Sequence, residues 1–374
     1  MMQLSVLGIV SYKVFPAHMG GQKYIADYYA QLSKHAKLVL AVSRDNKVDR
    51  FSPYKVLPFL FNHWYGPLNI IYVYKLYQII KKEKINVILI DHTYFGWLGV
   101  ILQFLTNKKL VIKSSNIESL RFKDMGRSGW RLYDQYEGWV HRNAMLNFFI
   151  TDEEKKLAIN RWNLLPATCE TLKYGVKLKE PISKADRTHY RNLLIQEHNL
   201  SPYTKLFLFN GTLDYLPNSD ALYVITQELV YRMESSLTPY KIFICGNQIS
   251  SEWEKVLLQN QHVIYKGFVH DIAPYYKGTD CFICPITLGT GIKTKIVEAL
   301  AYGLPVIACR KSGEGFTDIN LGKQMRIIDN YNWNAFADAM LELDHYNYIE
   351  TPEAFYTAFN WQTIVQDSIL SLQK

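Results

Sequence analysis

Short apolar runs alternate with longer amphipathic stretches along the whole chain. Apolar runs bounded by polar residues are typical of strands buried on both faces, and the stretches between them have helical spacing. In the first half the runs predict strands at 4–10, 37–42, 56–59, 87–90, 109–112, 146–150 and 168–172. The gaps predict helices, notably at 21–34, 68–82, 130–143 and 152–162, the last with Thr151 as its N-cap.

The same alternation starts again after the polar, proline-containing segment 176–183. A helix is predicted at 184–199, and strands are predicted at 206–209, 241–245, 263–265, 280–285, 305–308 and 325–328. Strands that alternate with helices favour an α/β fold, with parallel sheets flanked by helices, over a sandwich or a bundle. We therefore predict two domains, 1–177 and 178–354. The amphipathic tail 354–374 has two possible positions. It either caps the second domain or crosses back to the first domain, in which case residues 355–374 belong to the first domain.

Composition agrees with two folded domains. The chain has 374 residues, more than one core usually supports, and 48% hydrophobic against 20% charged residues exclude a largely disordered protein. Five cysteines, an odd number, do not form a disulfide framework, and a reducing cytoplasm fits them best. Cys281 and Cys284 have a C-x-x-C spacing, but residues three apart in a strand point to opposite faces. Buried thiols are expected there rather than a metal or redox site.

Any membrane association is expected to be peripheral. The apolar residues 1–10 follow no basic residue and precede no cleavage site, so they predict a buried strand rather than a signal peptide. The apolar stretch 85–105 is interrupted by Asp91 and His92, and no window reaches the ~18 apolar residues that a spanning helix needs. We expect a cytoplasmic protein that binds at the inner face of the cytoplasmic membrane.

Positive charge is concentrated in the first half of the chain. Residues 1–180 contain 26 Lys and Arg against 14 Asp and Glu, a net charge of +12. Residues 181–374 contain 16 Lys and Arg against 20 Asp and Glu, a net charge of −4, so the whole chain has a net charge of +8. No recognition helix, zinc finger or RNP-type motif accompanies this charge, so nucleic acid is not the expected partner. An anionic membrane surface or a lipid-phosphate acceptor is favoured, with a solvated basic surface as the alternative.

The segment from Cys284 to Ala308 is the most informative part of the chain. It contains an apolar strand, a glycine-bearing loop, a helical stretch and a second apolar strand. A loop that enters a helix presents unpaired backbone N–H groups that suit a phosphate, and Lys293 and Lys295 add mobile positive charge. Glu298 shares a helix face with Lys295. A cation for a diphosphate beside an acceptor for sugar hydroxyls predicts a nucleotide-sugar site.

The stretch Gly289-x-Gly291-Ile-Lys-Thr-Lys295-x-x-Glu298-Ala-x-Ala-x-Gly303-x-Pro305-Val306 resembles the donor-binding signature of the retaining glycosyltransferases of family 4. Phe209-Asn-Gly-Thr-Leu-Asp-Tyr-Leu-Pro-Asn218, the segment 267–276 and Met19-Gly20-Gly21 are similar to other parts of that family. The resemblance covers nearly the whole chain. It implies the GT-B architecture of two facing Rossmann-like domains, the first for the acceptor and the second for the donor.

Candidate site residues follow from the resemblance and from strand ends, where open α/β sheets bind ligands. The donor-binding candidates are Gly20, Gly21, Gly211, Thr212, Gly267, Phe268, Gly289, Thr290, Gly291, Ile292, Lys293, Lys295 and Glu298. The catalytic candidates are His92, Lys293, Lys295 and Glu298, and the acceptor candidates are His18, Asn116 and Glu118. Simpler alternatives stay open: Gly20 and Gly21 as a tight turn, His92 as an ordinary buried histidine, and Lys295 paired with Glu298.

Two positions depart from the family pattern. Thr290 stands eight residues before Glu298, where the family often has another glutamate. Glu298 therefore keeps its implied contact with the nucleotide ribose. The contact of the other acid with the transferred sugar is missing. Ser115 stands where a histidine commonly precedes Asn-Ile-Glu, here Asn116 to Glu118.

The resemblance implies transfer of a hexose-type sugar from a nucleoside diphosphate sugar to a hydroxyl of a growing cell-surface glycan or glycolipid, with retention of configuration. Lipopolysaccharide or capsule biosynthesis is the expected setting. No Asp-x-Asp triplet occurs, so we expect neither a metal nor another cofactor. Two alternatives remain: an inactive partner subunit of another transferase, motivated by Thr290, and a GT-B sugar-nucleotide epimerase.

Overall fold

The computed structural model describes residues 3–17, 19–47, 52–178, 180–344 and 350–374. The chain folds into two units, Met1–Gly175 with Phe359–Lys374, and Val176–Ala358. The first unit therefore ends two residues before the predicted boundary at 177. The terminal segment, whose position the sequence left open, belongs to the first unit.

Seven parallel strands form the sheet of the first unit. They are β1 Ser5–Val10, β2 Lys37–Ser43, β3 Lys55–Leu60, β4 Val87–Asp91, β5 Lys109–Ser114, β6 Leu146–Phe149 and β7 Cys169–Thr171. Their order is β3-β2-β1-β4-β5-β6-β7. All seven apolar runs are confirmed as strands, and the central ones, such as β1 and β4, are buried along their whole length.

Helices connect these strands. They are α1 Gly20–Leu32, α2 Val73–Lys82, α3 Gly96–Thr106, α4 Glu118–Asp124, α5 Trp130–Asn143 and α6 Asp152–Trp162, with 3-10 helices at His63–Tyr72, Thr93–Phe95 and Pro166–Thr168. Thr151 Oγ1 accepts a hydrogen bond from Glu154 N at 3.1 Å, which confirms the predicted N-cap of α6. Helix α3 lies in a gap that predicts a helix, but its bounds were not predicted, because its almost uniformly apolar sequence has no helical periodicity.

The predicted helix 68–82 is wrong in its first third. The chain forms a 3-10 helix from His63 to Tyr72 and becomes α-helical only at Val73. Pro67 lies inside the 3-10 helix and has no N–H to donate. Asn69 accepts from Phe61 N at 2.9 Å and donates to Phe61 O at 3.1 Å. These side-chain bonds hold the backbone in a shape that an α-helix starting at 68 would not allow.

The second unit repeats this architecture with six parallel strands. They are β8 Lys205–Thr212, β9 Tyr240–Asn247, β10 Val263–Gly267, β11 Cys281–Cys284, β12 Val306–Cys309 and β13 Met325–Ile328, in the order β10-β9-β8-β11-β12-β13. The helices are α7 Lys184–Glu197, α8 Leu216–Tyr223, α9 Val230–Met233, α10 Ser251–Gln259, α11 Ala273–Gly278, α12 Thr294–Ala301, α13 Trp333–Leu341 and α14 Glu353–Ala358. A π-helical turn, Val224–Leu229, joins α8 to α9. All six predicted strands are present.

A buried ion pair links two central strands of the first sheet. Asp91, the last residue of β4, is the register partner of Lys113 in β5, and their charged groups pair with both side chains fully buried. Tyr29 Oη of α1 donates to Asp91 Oδ2 at 2.5 Å. Burial lowers the pKa of Lys113, and the charge of Asp91 opposes that shift. Removing either partner would leave the other charge buried without compensation.

The last helix, α15 Trp361–Gln373, packs against α1 in the first unit. The Trp361 ring stacks 5.8 Å from the ring of Tyr24, and Tyr28 Oη donates to Ser368 Oγ at 3.4 Å. Any Cβ at Gly175 would lie 2.2 Å from Trp361 Cδ2, so glycine is required there. Within the described residues, no helix is long and apolar enough to cross a membrane.

We predict that Trp361→Ala destabilises the first unit by about 3 to 5 kcal/mol, the usual cost of removing a buried aromatic side chain. Trp361 is 2% exposed, whereas Leu370 on the same helix is 61% exposed, so Leu370→Ala serves as the matched control. Hydrogen exchange measured by mass spectrometry on peptides from α1 reports the stability of this unit alone. Equal protection of α1 in both variants would contradict the prediction.

Candidate functional site

Each sheet reverses its strand order once, between β1 and β4 in the first unit and between β8 and β11 in the second. At such a reversal the neighbouring connections leave in opposite directions, and a crevice opens at the carboxyl ends of the strands. Many of the predicted site residues lie beside one of these two reversals. These residues form one group in the first unit and one group in the second unit.

In the second unit, Gly211 near the end of β8 lies close to the side chains of Asn218 and Lys295. Lys295 Nζ donates to Asn218 Oδ1 at 2.7 Å, and Asn218 Nδ2 donates to Thr212 O at 2.8 Å. A Cβ at Gly211 would lie 2.7 Å from Asn218 Nδ2 and 2.8 Å from Lys295 Nζ. Glycine at 211 is therefore required by close approach, and we call Gly211, Asn218 and Lys295 the lysine cluster.

The electrostatics of Lys295 are unusual for a lysine. Burial, aided by the charge of the nearby Lys293, lowers its pKa to about 8, although Cys284 and Glu298 oppose this shift. The ammonium lies 4.7 Å from the ring centroid of Phe209 in β8. A cation held in so little water interacts strongly with an anionic ligand, and binding such a ligand would raise its pKa again.

Glu298 lies one helical turn further along α12 and is held by a tyrosine. Tyr276 Oη donates to Glu298 Oε2 at 3.3 Å and accepts from Asn210 Nδ2 at 3.0 Å. The Tyr276 ring stacks on Tyr302 with centroids 5.4 Å apart. Sequence reasoning missed the role of Tyr276, although this residue ends the segment 267–276 that carried part of the resemblance. The tyrosine orients one carboxylate oxygen of Glu298.

The loop before α12 folds around the other lysine. Gly289 and Gly291 adopt left-handed backbone angles, φ 81° and 76°. Lys293 Nζ donates to the carbonyl oxygens of Gly291 and Thr290 at 3.1 and 3.3 Å. The structure thus holds the ammonium groups of Lys293 and Lys295 in place, where the sequence suggested mobile ones. Both remain close to the start of the helix, where unpaired N–H groups also lie.

Thr290, the departure from the family pattern, has an unusual hydroxyl. Its Oγ1 is buried and makes no hydrogen bond to any described residue. Ile292 in the same loop is a buried apolar residue. A buried hydroxyl without a partner costs stability unless something else satisfies it, so Thr290 is free to contact a ligand.

Gly267 and Phe268 lie apart from the bonds of the lysine cluster. Gly267 ends β10 with φ 64°, and Phe268 packs edge-on against His270 with ring centroids 5.2 Å apart. Phe268 is half exposed. An exposed aromatic ring after a strand end can stack on a planar ligand group.

In the first unit, His92 follows the last residue of β4 and lies beside the end of β1. Its Nε2 is 3.0 Å from Tyr12 Oη, and its Nδ1 is 3.1 Å from Glu118 Oε1. His92 and Glu118 are both buried, and His92 has a left-handed backbone, φ 58°, which is rare for a residue other than glycine. Strain of this kind concentrates at functional sites. We call Tyr12, His92 and Glu118 the histidine cluster.

Glu118 is the centre of this cluster. Burial would raise its pKa, but the hydrogen bond from His92 and the charge of Arg121 lower it to about 2. Arg121 Nε and Tyr94 Oη both donate to Glu118 Oε2 at 2.8 Å, and Asn116 Nδ2 lies 3.5 Å from Oε1. The structure therefore brings the predicted residues His92, Asn116 and Glu118 together. The ionised carboxylate orients the imidazole of His92.

Glu137 of α5 was not predicted, yet it supports this cluster from behind. Its carboxylate accepts from Glu118 N at 3.0 Å and Ser119 N at 2.9 Å, the first N–H groups of α4. Burial raises the pKa of Glu137 to about 7, although these hydrogen bonds oppose the shift. No local pattern indicates this role, since Glu137 lies in an otherwise ordinary amphipathic helix.

Gly20 and Gly21 are the first two residues of α1 rather than members of a loop. Met19 precedes them as the N-cap, and its N–H donates to Gln22 Oε1 at 3.0 Å. The segment Met19-Gly20-Gly21, which resembles a glycine-rich loop of the family, is therefore a helix start here, and the Gln22 side chain closes its first turn. His18 lies outside the described residues. Backbone N–H groups at a helix start suit an anion, and Gly20 and Gly21 can offer theirs.

No metal centre is formed by the parts of the chain that the structure describes, since no three His, Cys, Asp or Glu side chains come together in a suitable group. Cys281 and Cys284 lie in β11, and all five cysteines are buried free thiols. The expectation of buried thiols is confirmed.

Residues 204–345, within the second unit, match the family model described as Glycosyl transferases group 1. Among curated protein sequences, none matches the chain.

Several solved structures resemble the whole chain. HepE of Anabaena in complex with UDP has a TM-score of 0.75 at 14% identity, covering 99% of this chain and 100% of that chain. Sucrose-phosphate synthase from Thermosynechococcus elongatus has a TM-score of 0.74 at 16% identity, covering 99% and 98%. The lipopolysaccharide outer core galactosyltransferase WaaB has a TM-score of 0.67 at 13% identity, covering 98% and 99%. These likenesses confirm the predicted GT-B fold, and at such identities they show the fold alone.

We predict that Glu137 makes the first unit less stable as pH rises. Its pKa is about 7 in the folded chain and near 4.5 when exposed, so its stabilising contribution is complete below about pH 4.5 and is lost as pH rises through 7. The loss amounts to up to about 3 kcal/mol. Glu137→Gln stays neutral and should remove this part of the pH dependence. Urea unfolding at about pH 5 and about pH 7.5 measures it.

The control is Asp124→Asn, which neutralises an exposed carboxylate at the end of α4. This change should leave the pH dependence of unfolding as in the wild type. The same slope in Glu137→Gln and in the wild type would show that Glu137 does not titrate in this range.

Proposed function

Residues 204–345 belong to the glycosyl transferases group 1 family, and from this premise we propose that the chain is a retaining glycosyltransferase. It moves a hexose-type sugar from a nucleoside diphosphate sugar to a hydroxyl of a growing cell-surface glycan or glycolipid. The observation that carries this proposal is the lysine cluster beside Glu298, at the strand reversal of the matched unit. We assign the enzyme to family 4 of the retaining glycosyltransferases.

The second unit binds the donor in this proposal. Departure of a nucleoside diphosphate requires stabilisation of the negative charge that develops on its phosphates. Lys295, Lys293 and the backbone N–H groups that start α12 supply this stabilisation, and Glu298 accepts hydrogen bonds from ribose hydroxyls. The complexes of the similar HepE with UDP and with UDP-glucose support a nucleotide-sugar donor.

The first unit binds the acceptor in this proposal. His92 is oriented by Glu118, and its Nε2 exchanges the contact with Tyr12 Oη for a hydrogen bond to an acceptor hydroxyl at the carboxyl end of β4. Asn116 and His18 complete the acceptor residues, and Gly20 and Gly21 offer helix N–H groups to an anionic substrate group. Retention of configuration needs no pair of carboxylates of the hydrolase type, because the acceptor proton leaves on the side of the departing phosphate.

We propose that the transfer requires neither a metal ion nor another cofactor. Mobile divalent cations neutralise phosphates in many transferases, and here two lysines carry that charge. The chain has no Asp-x-Asp triplet to bind a metal-diphosphate complex.

We also propose that the enzyme acts at an anionic membrane surface from the cytoplasmic side. Large apolar side chains project into solvent from the segment 63–74, including Trp64 (69% exposed), Ile71 (64%) and Tyr74 (72%). A 3-10 helix holds this segment in shape, and Lys81 and Lys82 follow on α2. Exposed aromatic and aliphatic groups beside lysines are typical of peripheral binding to anionic bilayers. This surface supports a lipid-linked acceptor.

We predict that Lys295→Ala lowers kcat/KM for the donor roughly 100-fold or more, the usual effect of losing one group that stabilises transition-state charge. Glu298→Ala should raise KM for the donor about tenfold, because it removes hydroxyl contacts.

Since the pKa of free Lys295 is about 8, donor binding should weaken above that pH. Lys295→Arg should retain binding at high pH, because guanidinium stays charged. Steady-state kinetics from about pH 6 to about pH 9.5 measure all four proteins.

The control is Lys255→Ala, an exposed lysine on α10 of the same unit. Wild-type kinetics in Lys295→Ala would refute the site assignment, and loss of transfer in EDTA would refute metal independence. The anomeric configuration of the product, read by NMR, tests retention. Failure to bind any nucleoside diphosphate would favour the inactive partner subunit, and conversion of the donor without acceptor would favour the epimerase.

We predict that Trp64→Ser with Ile71→Ser lowers binding to vesicles rich in phosphatidylglycerol at least tenfold, because each exposed apolar side chain gains transfer energy in the interface. Lys81→Glu with Lys82→Glu should weaken binding mainly at low salt. Vesicle flotation measures both. Leu237→Ser with Tyr231→Ser, which are exposed apolar residues of the second unit, should bind like the wild type. Binding that is insensitive to both changes and to salt would exclude this surface.

A further inference from the structure

A cavity of about 560 Å³ lies in the second unit, away from the lysine cluster. Its lining includes the residues just before β11 and β12, Asp280 and Pro305, and the first residue of β13, Met325. These are the amino-terminal ends of parallel strands, so the cavity lies at the opposite edge of the sheet from the strand ends that carry the lysine cluster. The eight residues of β8 alone span about 26 Å. The volume is within the range of small-molecule sites.

The lining of this basic cavity is strongly cationic. Its cationic residues are Lys184, Arg187, Arg191, Lys277, Lys323 and Arg326, and its acidic residues are Asp280, Glu342 and Asp344. Six positive charges against three negative charges give a net charge of +3. The second half of the chain, residues 181–374, has a net charge of −4. Cations therefore converge on this cavity against the overall sign of their surroundings, which favours an anionic ligand.

Helix α7 places three of the cations. Lys184, Arg187 and Arg191 are spaced three and four residues apart, so they share the face of α7 that lines the cavity. Arg187 Nη2 donates to Thr279 O at 2.9 Å. Arg191 Nη2 donates to Thr204 O at 2.9 Å. Backbone carbonyls thus hold both guanidinium groups at the ends of the strands, so a ligand would not have to order them.

Part of the positive charge remains uncompensated. Arg191 Nη1 is buried and makes no hydrogen bond to the described residues, although Arg191 Nε lies 3.5 Å from Asp280 Oδ1. Asp280 also accepts from Leu206 N at 2.7 Å, and Glu342 pairs with Arg326 at 2.6 Å. Asp280 and Glu342 are thus engaged with the protein itself. Because this N–H group is buried, Arg191 adds positive charge to the cavity lining rather than a direct contact.

Two further cations lie at the rim. Lys184 and Lys323 are exposed, and neither ammonium group has a hydrogen bond or an ion pair recorded with the described part of the chain. Lys277 Nζ lies over the Tyr190 ring, 4.6 Å from its centroid. The cavity also has apolar lining from Pro305, Val306 and Leu343. Several unused donors beside a small apolar surface match an anionic group that carries an organic part.

We propose that the basic cavity binds a small phosphate monoester, such as a sugar phosphate, at a site separate from the donor site. Its phosphate accepts hydrogen bonds from Lys184 and Lys323 in the positive field of Arg187 and Arg191, and its organic part contacts the apolar lining. Phosphate oxygens suit the planar donors of arginine and the mobile charge of lysine. This inference does not depend on the transferase activity, because it rests on residues at the other edge of the sheet.

Isothermal titration calorimetry of the full chain tests this site with glucose 6-phosphate and inorganic phosphate as probes. We expect the wild type to bind glucose 6-phosphate with a Kd below about 1 mM and to bind inorganic phosphate at least roughly tenfold more weakly. Lys184→Glu with Lys323→Glu should weaken glucose 6-phosphate binding at least about tenfold, since two attractive charges become repulsive. Both residues are exposed, so the fold should tolerate the change.

Two comparison variants make the result specific. Lys156→Glu with Lys255→Glu changes the net charge equally at exposed positions of α6 and α10, and it should bind glucose 6-phosphate like the wild type. Lys295→Ala, in the lysine cluster, should also bind like the wild type. No binding by the wild type, or equal weakening in the control pair, would overturn the proposal. Binding lost in Lys295→Ala would place the probe in the donor site, and equal affinity for both probes would exclude an organic ligand.

Discussion

The direction of the strands is the constraint on which the rest of this structure depends. Every strand in each sheet is parallel, so the carboxyl ends of all strands lie at one edge, and the single reversal of order leaves a crevice there. This geometry brings Tyr12 at the end of β1 to His92 after β4. The same geometry places the end of β8 beside the loop that follows β11, where Gly211 meets Lys295. Both clusters are therefore consequences of one topological rule applied twice.

Burial of charge gives the two clusters different chemical characters. Glu118 is buried but stays ionised, because His92 and Arg121 compensate its charge. Among the described residues, the ammonium group of Lys295 has the neutral amide of Asn218 as its one hydrogen-bond partner, and burial lowers the pKa of Lys295. In the histidine cluster, Tyr12 and Glu118 already contact both ring nitrogens of His92, and the carboxylate orients the imidazole. The lysine cluster gains most when an anion arrives, which is the behaviour expected of a site for a diphosphate.

Local sequence patterns predicted many of the site residues and few of their partners. The motif from Gly289 to Glu298 identified a lysine and a carboxylate one helical turn apart, because a loop entering a helix has the same geometry wherever it occurs. Asn218 lies 77 residues before Lys295, and Glu137 lies 19 residues after Glu118, so no local pattern relates them. The basic cavity was invisible for the same reason, since its cations come from α7, α11 and the start of β13.

The sequence by itself determined the α/β class, the strands, and the helices 130–143 and 152–162, because the burial of a strand and the capping of a helix are set by neighbouring residues. Only the tertiary structure decided that Phe359–Lys374 returns to the first unit, where Trp361 packs against Gly175 and Tyr24. It also decided that Lys293 turns back onto its own loop and that Glu137 supports Glu118. These outcomes depend on distances between groups far apart in the chain, which packing and burial set and which residue order does not contain.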